Sequence, residues 1–242
     1  MSREHRRVAY IGDVHIEPGD PDLGAFNRML ERVAEECSAL VLMGDLFTLW
    51  IGQPELQGPH QEAVLDTLRA IRRRGVETHY IEGNRDFGIG RVYEGDAFDT
   101  SGEHGLGLRV PGRSLWAIHG DLANTADRQY RMWRGFSRFA GFWWCFNLLP
   151  ARRRMAVAER LERTMRGTNI AHKSEFPTEL ISSYAAGFME LGHRDVVLGH
   201  FHVEKQWTLD GGAGVWVLPE WKGSRRHLLA DVDGVRFVDS PS

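Results

Sequence analysis

Cysteine is scarce in this chain. Cys37 and Cys145 are the two among 242 residues, too few and too isolated for a disulfide framework, and a reducing compartment is expected. Long apolar runs are also missing: no stretch reaches the roughly 18 uninterrupted apolar residues of a spanning helix. The opening MSREHRRVAYIGD has basic residues but lacks the apolar segment of a signal peptide. Low-complexity tracts and internal repeats are absent too. These absences exclude fibrous, disulfide-stapled and membrane-spanning helical classes. What is there is ordinary for a soluble globular protein, 42% hydrophobic and 26% charged. The length suits one large α/β domain or at most two small ones.

The net charge of −3 points to no partner, but its distribution is uneven. Residues 128–166 hold ten arginines against Glu159 and Glu162, so this segment carries +8 and the rest of the chain −11.

Apolar periodicity organises the chain. RVAYIG (7–12), ALVLMG (39–44), VETHYIEG (76–83), LWAIHG (115–120) and DVVLGH (195–200) read as buried strands. Residues 22–36 and 60–75 read as helices, the second stopped by a glycine. That alternation argues for an α/β layered core. TLDGGAGVWVL (208–218) and LLADVDGVRFV (228–238) read as late hairpins around Asp-Gly turns.

Each buried run ends in residues able to hold a cation: Asp13 and His15, Asp45, Asn84, His119, then His200 and His202. Ligands of open α/β sheets gather beyond the carboxyl ends of the strands, so these seven should meet in one crevice. Oxygen donors and imidazoles without a thiolate suit Mn²⁺, Fe or Zn²⁺. Seven side chains exceed the needs of one ion, and a pair of cations can hold a bridging hydroxide and clamp a phosphoryl group.

In this order, D-x-H, GD, GN-x-D, H and GH-x-H resemble the calcineurin-like metallophosphoesterases. The resemblance implies a two-layer β sandwich flanked by helices and a dinuclear centre. Asp13, His15 and His202 would hold one metal, Asn84, His119 and His200 the other, and Asp45 would bridge them. Many members carry histidine after the asparagine as a proton donor to a poor leaving group. Here Arg85 stands there. It stays protonated and binds phosphate well, and a phosphate leaving group, with a second pKa near ~6, departs without a proton. A pyrophosphate substrate follows, with Asn84, Arg85 and His119 as the catalytic set and Asp86 orienting its neighbours.

GNRDF (83–87) also resembles the branch of that family that cleaves UDP-2,3-diacylglucosamine in lipid A synthesis. So do HGDLANTADRQYRMWR (119–134), IAHKSE (170–175) and VWVLPEWKGS (215–224), the last likened to a closing strand. The likeness implies substrate contacts at Arg85, Asp127, Tyr130 and Lys173, and products UMP and the acylated sugar 1-phosphate. Pro219-Glu220 in place of a glycine, and GDVHIE near the start, depart from the branch.

By this reading, residues 1–125 and 195–242 form the core and 126–194 a helical cap. Within the cap, Met132, Phe136, Phe139, Trp143 and Phe146 recur at four- and three-residue steps as one apolar face, and Pro150 separates a second helix. Such a stripe can simply pack on the core. Eight aromatics between Tyr130 and Phe146 exceed one stripe, however, and arginine beside tryptophan and phenylalanine suits an anionic membrane surface or an acyl-chain groove. The placement expected is cytoplasmic, peripheral on the inner membrane. Nucleic acid ranks lower, because basic residues are confined to this insert. Rival functions are a phosphodiesterase for another lipid-linked or soluble nucleotide, a nuclease, and a non-catalytic scaffold, which would have broken ligand sets. Of His5, His60, His79, His104, His172, His193 and His227, most are expected to be solvated or structural, though His172 lies beside Lys173.

Overall fold

Every side chain of Val8–Ile11 is buried, and successive strand side chains point to opposite faces. Ala9 and Ile11 enter one apolar cluster with Phe26, Leu30 and Leu68, while Val8 and Tyr10 enter another with Leu115 and Val197. A strand covered on both faces needs a layer on each side. Here those layers are helices and a second sheet.

The computed structural model describes residues 5–124, 128–166 and 176–241. Its first half runs β1 (Arg7–Ile11), α1 (Leu23–Glu36), β2 (Ala39–Leu42), β3 (Trp50–Ile51), α2 (Pro59–Arg73), β4 (Glu77–Ile81) and β5 (Asp86–Phe87). There follow α3 (Gly90–Tyr93), β6 (Thr100–Gly102), β7 (Leu106–Val110) and β8 (Arg113–Ile118). Three helices come next, α4 (Arg128–Arg138), α5 (Ala140–Asn147) and α6 (Ala151–Arg166), and then α7 (Thr178–Glu190). The last part is β9 (Asp195–Leu198), β10 (Lys205–Thr208), β11 (Gly214–Val217), α8 (Trp221–Ser224), β12 (Arg226–Asp231) and β13 (Gly234–Asp239).

One sheet has the order β13-β12-β1-β2-β4-β6 and the other β10-β11-β9-β8-β7. β1, β2, β4 and β6 are parallel, as are β8, β9 and β11, so the carboxyl ends within each set point the same way. The two anticipated hairpins pair antiparallel at the sheet edges. α1 and α2 cover the outer face of the first sheet through Phe26, Met29, Leu30, Val64, Leu65 and Leu68. α7 covers the second through Ile181 and Ala185, which pack with Val196, Leu198 and Val215. Fully burying each such side chain stabilises the fold by roughly 1.5–3 kcal/mol. The architecture is a two-layer β sandwich flanked by helices.

A small parallel pair positions the site. β3 and β5 set Trp50 beside Asp86, which holds the loop after β2 against the loop after β4. Trp50 is fully buried among Phe47, Tyr80, Tyr93 and Phe98, so this loop has its own apolar anchor.

The insert departs from the single stripe expected of it. α4 and α5 are separate helices because Phe139 adopts an extended backbone (φ −67, ψ 130) between them. Residues on the two sides therefore share no face. Met132, Phe139 and Trp144 are 74, 63 and 66% exposed, whereas Phe146 is buried and Trp143 packs near Leu49, Ile51 and Phe87. Pro150 does precede a new helix, α6. The segment likened to a closing strand is one only as far as Val217, after which Trp221–Ser224 is helical. No helix among the described residues is long and apolar enough to cross a membrane.

Candidate metal centre

The loops that follow β1, β2, β4, β8 and β9 bring the seven anticipated donors to one place. Asp13, Asp45 and His119 are buried, and so is His15. Their backbones are unusual. Asp13, His15, Asp45, His200 and His202 have φ of 52, 52, 51, 71 and 55°, and Arg225 is the one other non-glycine residue with positive φ among those described. Left-handed backbone at such residues is costly and persists where the surroundings over-determine it. Glycine serves where even that is too little room. A Cβ on Gly83 would lie 2.2 Å from Asp45 Oδ1, and one on Gly44 (φ +83) would lie 2.6 Å from Gly83 N.

The donor atoms form two adjoining groups. In the first, His15 Nε2 lies 3.2 Å from His202 Nε2, which is 3.5 Å from Asp13 Oδ1. In the second, Asn84 Oδ1 lies 3.1 Å from His119 Nε2 and 3.0 Å from His200 Nδ1, with Asp45 Oδ1 3.8 Å from His119 Nε2. Asp13 also falls within reach of Asp45 and His119, so it stands between the groups as Asp45 does.

These residues fit divalent cations. His119 Nδ1 lies 2.8 Å from the Met43 carbonyl and donates to it, which leaves the Nε2 lone pair aimed at the Asn84 oxygen, one acceptor facing another. His15 Nε2 and His202 Nε2 lie 3.2 Å apart, and His15 Nδ1 is buried without a hydrogen bond. Asp13 Oδ1 is buried and makes no hydrogen bond. Cations held by the two groups would relieve the His119–Asn84 conflict and give Asp13 Oδ1 a partner, and the Met43 carbonyl on the second ring nitrogen of His119 is how ligand imidazoles are held.

Electrostatics favour the ligating forms of Asp13, His15 and His200. Burial works to raise Asp13, but His202 and the neighbouring imidazoles outweigh it and hold the carboxyl at about 2. Burial lowers His15 to about 3 and His200 to about 4, keeping both as neutral ligands at pH 7. Burial also opposes the charging of His119, yet Asp45, Asp13 and Asp121 raise it above the usual range.

Asp86 sits beneath the centre. Its Oδ2 accepts the N–H groups of Asp45 and Gly83 and the hydroxyl of Tyr80. Arg85 is buried beside it. Its Nε is 3.5 Å from Asp45 Oδ2, its Nη1 donates to the Thr48 carbonyl, and its N–H donates to Asp45 Oδ1.

Sequence reasoning missed the outer supports. Arg138 donates to the carbonyls of Gly83 and Asp86 at 2.6 and 3.2 Å, and Arg134 donates to Asp121 at 2.6 Å, so α4 grips two of the donor loops. Arg154 donates to Gln53 Oε1. In the sequence these three are part of the +8 segment, and nothing local marks them as inward. Lys222 Nζ donates to the His15 carbonyl, and Glu220 lies 3.8 Å from His202 Nδ1. Of the expected substrate contacts, Tyr130 lies on α4, and Asp127 and Lys173 lie outside the described residues.

Residues 6–204 match the family described as calcineurin-like phosphoesterase. A protein of Shewanella sp. (strain MR-4), named UDP-2,3-diacylglucosamine hydrolase, is 28% identical over 97% of this chain and 98% of its own length. A protein of the same name from Aeromonas salmonicida is 32% identical over 88% of this chain and 85% of its own. Among solved structures, vacuolar protein sorting 29 from Cryptosporidium parvum shares the fold, with a TM-score of 0.51 at 14% identity over 99% of this chain and 94% of that one. Motif order, donor geometry and family match agree, and the chain belongs to the calcineurin-like phosphoesterases, metal-dependent hydrolases of phosphoesters and phosphoric anhydrides.

Proposed function

We propose that this chain hydrolyses the pyrophosphate of UDP-2,3-diacylglucosamine to UMP and 2,3-diacylglucosamine 1-phosphate. The observation that carries the reading is the pairing of a seven-donor centre with a buried arginine at the position after Asn84. The substrate itself rests on relatives of that name matching nearly the whole chain. Asp13, His15 and His202 would hold one cation, Asn84, His119 and His200 a second, with Asp45 between them. We assign Mn²⁺ to the centre, with Fe or Zn²⁺ as substitutes. Such cations supply Lewis-acid polarisation of phosphoryl oxygens and a nucleophile at neutral pH.

The protein's own groups do the rest. The left-handed loops hold the donors preorganised, and Met43 fixes the His119 tautomer. Arg85, always protonated, offers phosphate a cationic fork beside Asp45. No general acid is required, because the departing phosphate is a good leaving group. Asp127, Tyr130 and Lys173 are assigned to substrate contact.

The insert, residues 126–194, is assigned as cap and membrane contact. Met132, Phe139, Trp144, Leu148, Met155 and Val157 are exposed there, beside the exposed Arg128, Arg131, Arg152, Arg153 and Arg163. Apolar and cationic surface together suit an anionic leaflet, and we assign the enzyme to the cytoplasmic face of the inner membrane, with no nucleic-acid partner expected.

The test is UMP release from UDP-2,3-diacylglucosamine by purified protein in detergent with Mn²⁺, beside Asp45→Asn. Release that requires both Mn²⁺ and Asp45 is expected. Hydrolysis of bis(p-nitrophenyl) phosphate without UMP release would transfer the centre to another nucleotide substrate. Inactivity on both would indicate a scaffold.

A further inference from the structure

Three residues outside the phosphoryl chemistry meet toward the opposite end of the first sheet. The donors of the candidate centre lie beyond the carboxyl ends of β1, β2 and β4. Glu77 and His79 belong to the amino half of β4, and His5 lies just ahead of β1. From His79 to Asn84 is five residues, about 16 Å of extended chain.

Local rules bring them together. Glu77 and His79 are two apart on a strand and so share a face. It is the face whose next member, Ile81, enters the core between the sheets. His5 reaches the same rim because its N–H donates to the carbonyl of Arg109, on β7 of the other sheet, at 2.8 Å. The two imidazoles meet edge to face, with centroids 5.9 Å apart.

His5 and His79 are 5 and 7% exposed. Glu77 Oε2 lies 3.8 Å from His5 Nε2 and 3.7 Å from His79 Nε2, and one donor atom of each residue lies within 4.8 Å of the others. His79 Nε2 is buried and makes no hydrogen bond. A buried ring nitrogen without one pays a desolvation penalty unless something else uses its lone pair. Burial, and the neighbouring His5, also lower the pKa of His79, which keeps the ring in its neutral, ligating form.

We propose that His5, Glu77 and His79 form a third cation site, separate from the catalytic pair and taking Zn²⁺. Two imidazoles and one carboxylate suit a borderline divalent ion and disfavour Mg²⁺ or Ca²⁺, which prefer oxygen. Tetrahedral bonds of about 2.0–2.2 Å put donors roughly 3.4 Å apart, so the two separations to the Glu77 carboxylate, 3.8 and 3.7 Å, need to close by only a few tenths of an ångström. Glu77, the partly exposed member, can make that movement and leaves the fourth position to water. The ion ties the segment before β1 to β4 at the rim where the two sheets meet. Its role is structural.

The test counts metal in the full-length protein. Parent, His5→Gln/His79→Gln and Glu77→Gln proteins are stripped with chelator, dialysed against Zn²⁺ and assayed for bound zinc by mass spectrometry. The parent should hold one equivalent more than either variant, while hydrolysis rates stay within about twofold, as for independent distant sites. Glu77→Gln keeps the measurement meaningful if the double variant fails to fold, since it empties no buried space. A parent altered at the catalytic centre, Asp13→Asn/His202→Gln, should still take up Co²⁺ with the visible spectrum of a four-coordinate ion. Equal zinc counts in parent, double variant and Glu77→Gln would overturn the proposal.

Discussion

The carboxylate of Asp86 accepts the backbone N–H of Asp45 at 2.9 Å, across 41 residues of sequence. The same oxygen takes the Gly83 N–H and the Tyr80 hydroxyl, each at 2.8 Å. One buried side chain thus holds the loop carrying Asp45 in register with the loop carrying Asn84. Asp86→Ala leaves three buried donors unsatisfied, each costing about 1–3 kcal/mol. Urea unfolding should show a loss of roughly 3 kcal/mol or more, and kcat should fall at least about tenfold as the two loops lose register. Wild-type kcat in a folded variant would show that the loops hold their geometry without Asp86.

From a buried position the Arg85 guanidinium donates to the Thr48 carbonyl and pairs with the Asp45 carboxylate at 3.5 Å, so neither lysine nor histidine reproduces its fork. Arg85→His should lower kcat/KM for a pyrophosphate substrate by about 10–100-fold, the value of a charged hydrogen bond. It should also lose less on a phosphodiester with a poor leaving group, because imidazole can donate a proton. A uniform loss on both substrates would argue that Arg85 acts only in folding.

His227 is buried, and burial lowers its pKa to about 4. Unfolded histidine titrates near ~6.5. Above that pH both states are neutral and the contribution to stability is complete. Between about 6.5 and 4 the unfolded chain takes a proton that the folded one refuses, so stability falls with pH, by about 3 kcal/mol in all. Denaturant unfolding at pH 7.5 and pH 4.5 should show a smaller pH dependence for His227→Gln than for the parent. Identical slopes would assign the acid sensitivity elsewhere.

Met132, Phe139 and Trp144 are exposed on the insert beside solvent-facing arginines. Replacing all three with glutamine removes apolar area worth on the order of 1 kcal/mol per side chain. Sedimentation with vesicles containing anionic lipid should weaken at least about tenfold at low salt, with little change in turnover of a soluble phosphodiester. Unaltered sedimentation would leave the arginines as the sole membrane contact.

Much of the candidate site is legible in the sequence. Asp13 and His15, Asp45, Asn84, His119, and His200 and His202 each follow a buried apolar run, and parallel strands send such ends to one place. The main strands, both long early helices and the two late hairpins follow from short-range periodicity and turn chemistry, which are properties of a few neighbouring residues. β6 and β7 did not, being short and partly exposed, and neither did the break at Phe139, where the apolar spacing continues through a change in backbone direction.

The sequence by itself determined which donors exist, their chemical type and the strand ends that carry them. Tertiary structure alone decided how they face one another. The left-handed backbones of Asp13, His15, Asp45, His200 and His202 oppose local preference and persist through contacts such as the His200 N–H to Asp13, 187 residues apart. The inward turn of Arg134 and Arg138, and the meeting of His5 with His79, are equally invisible locally. Residue type sets what a side chain can bind, but a partner far away in sequence is chosen only when the packed layers close around both.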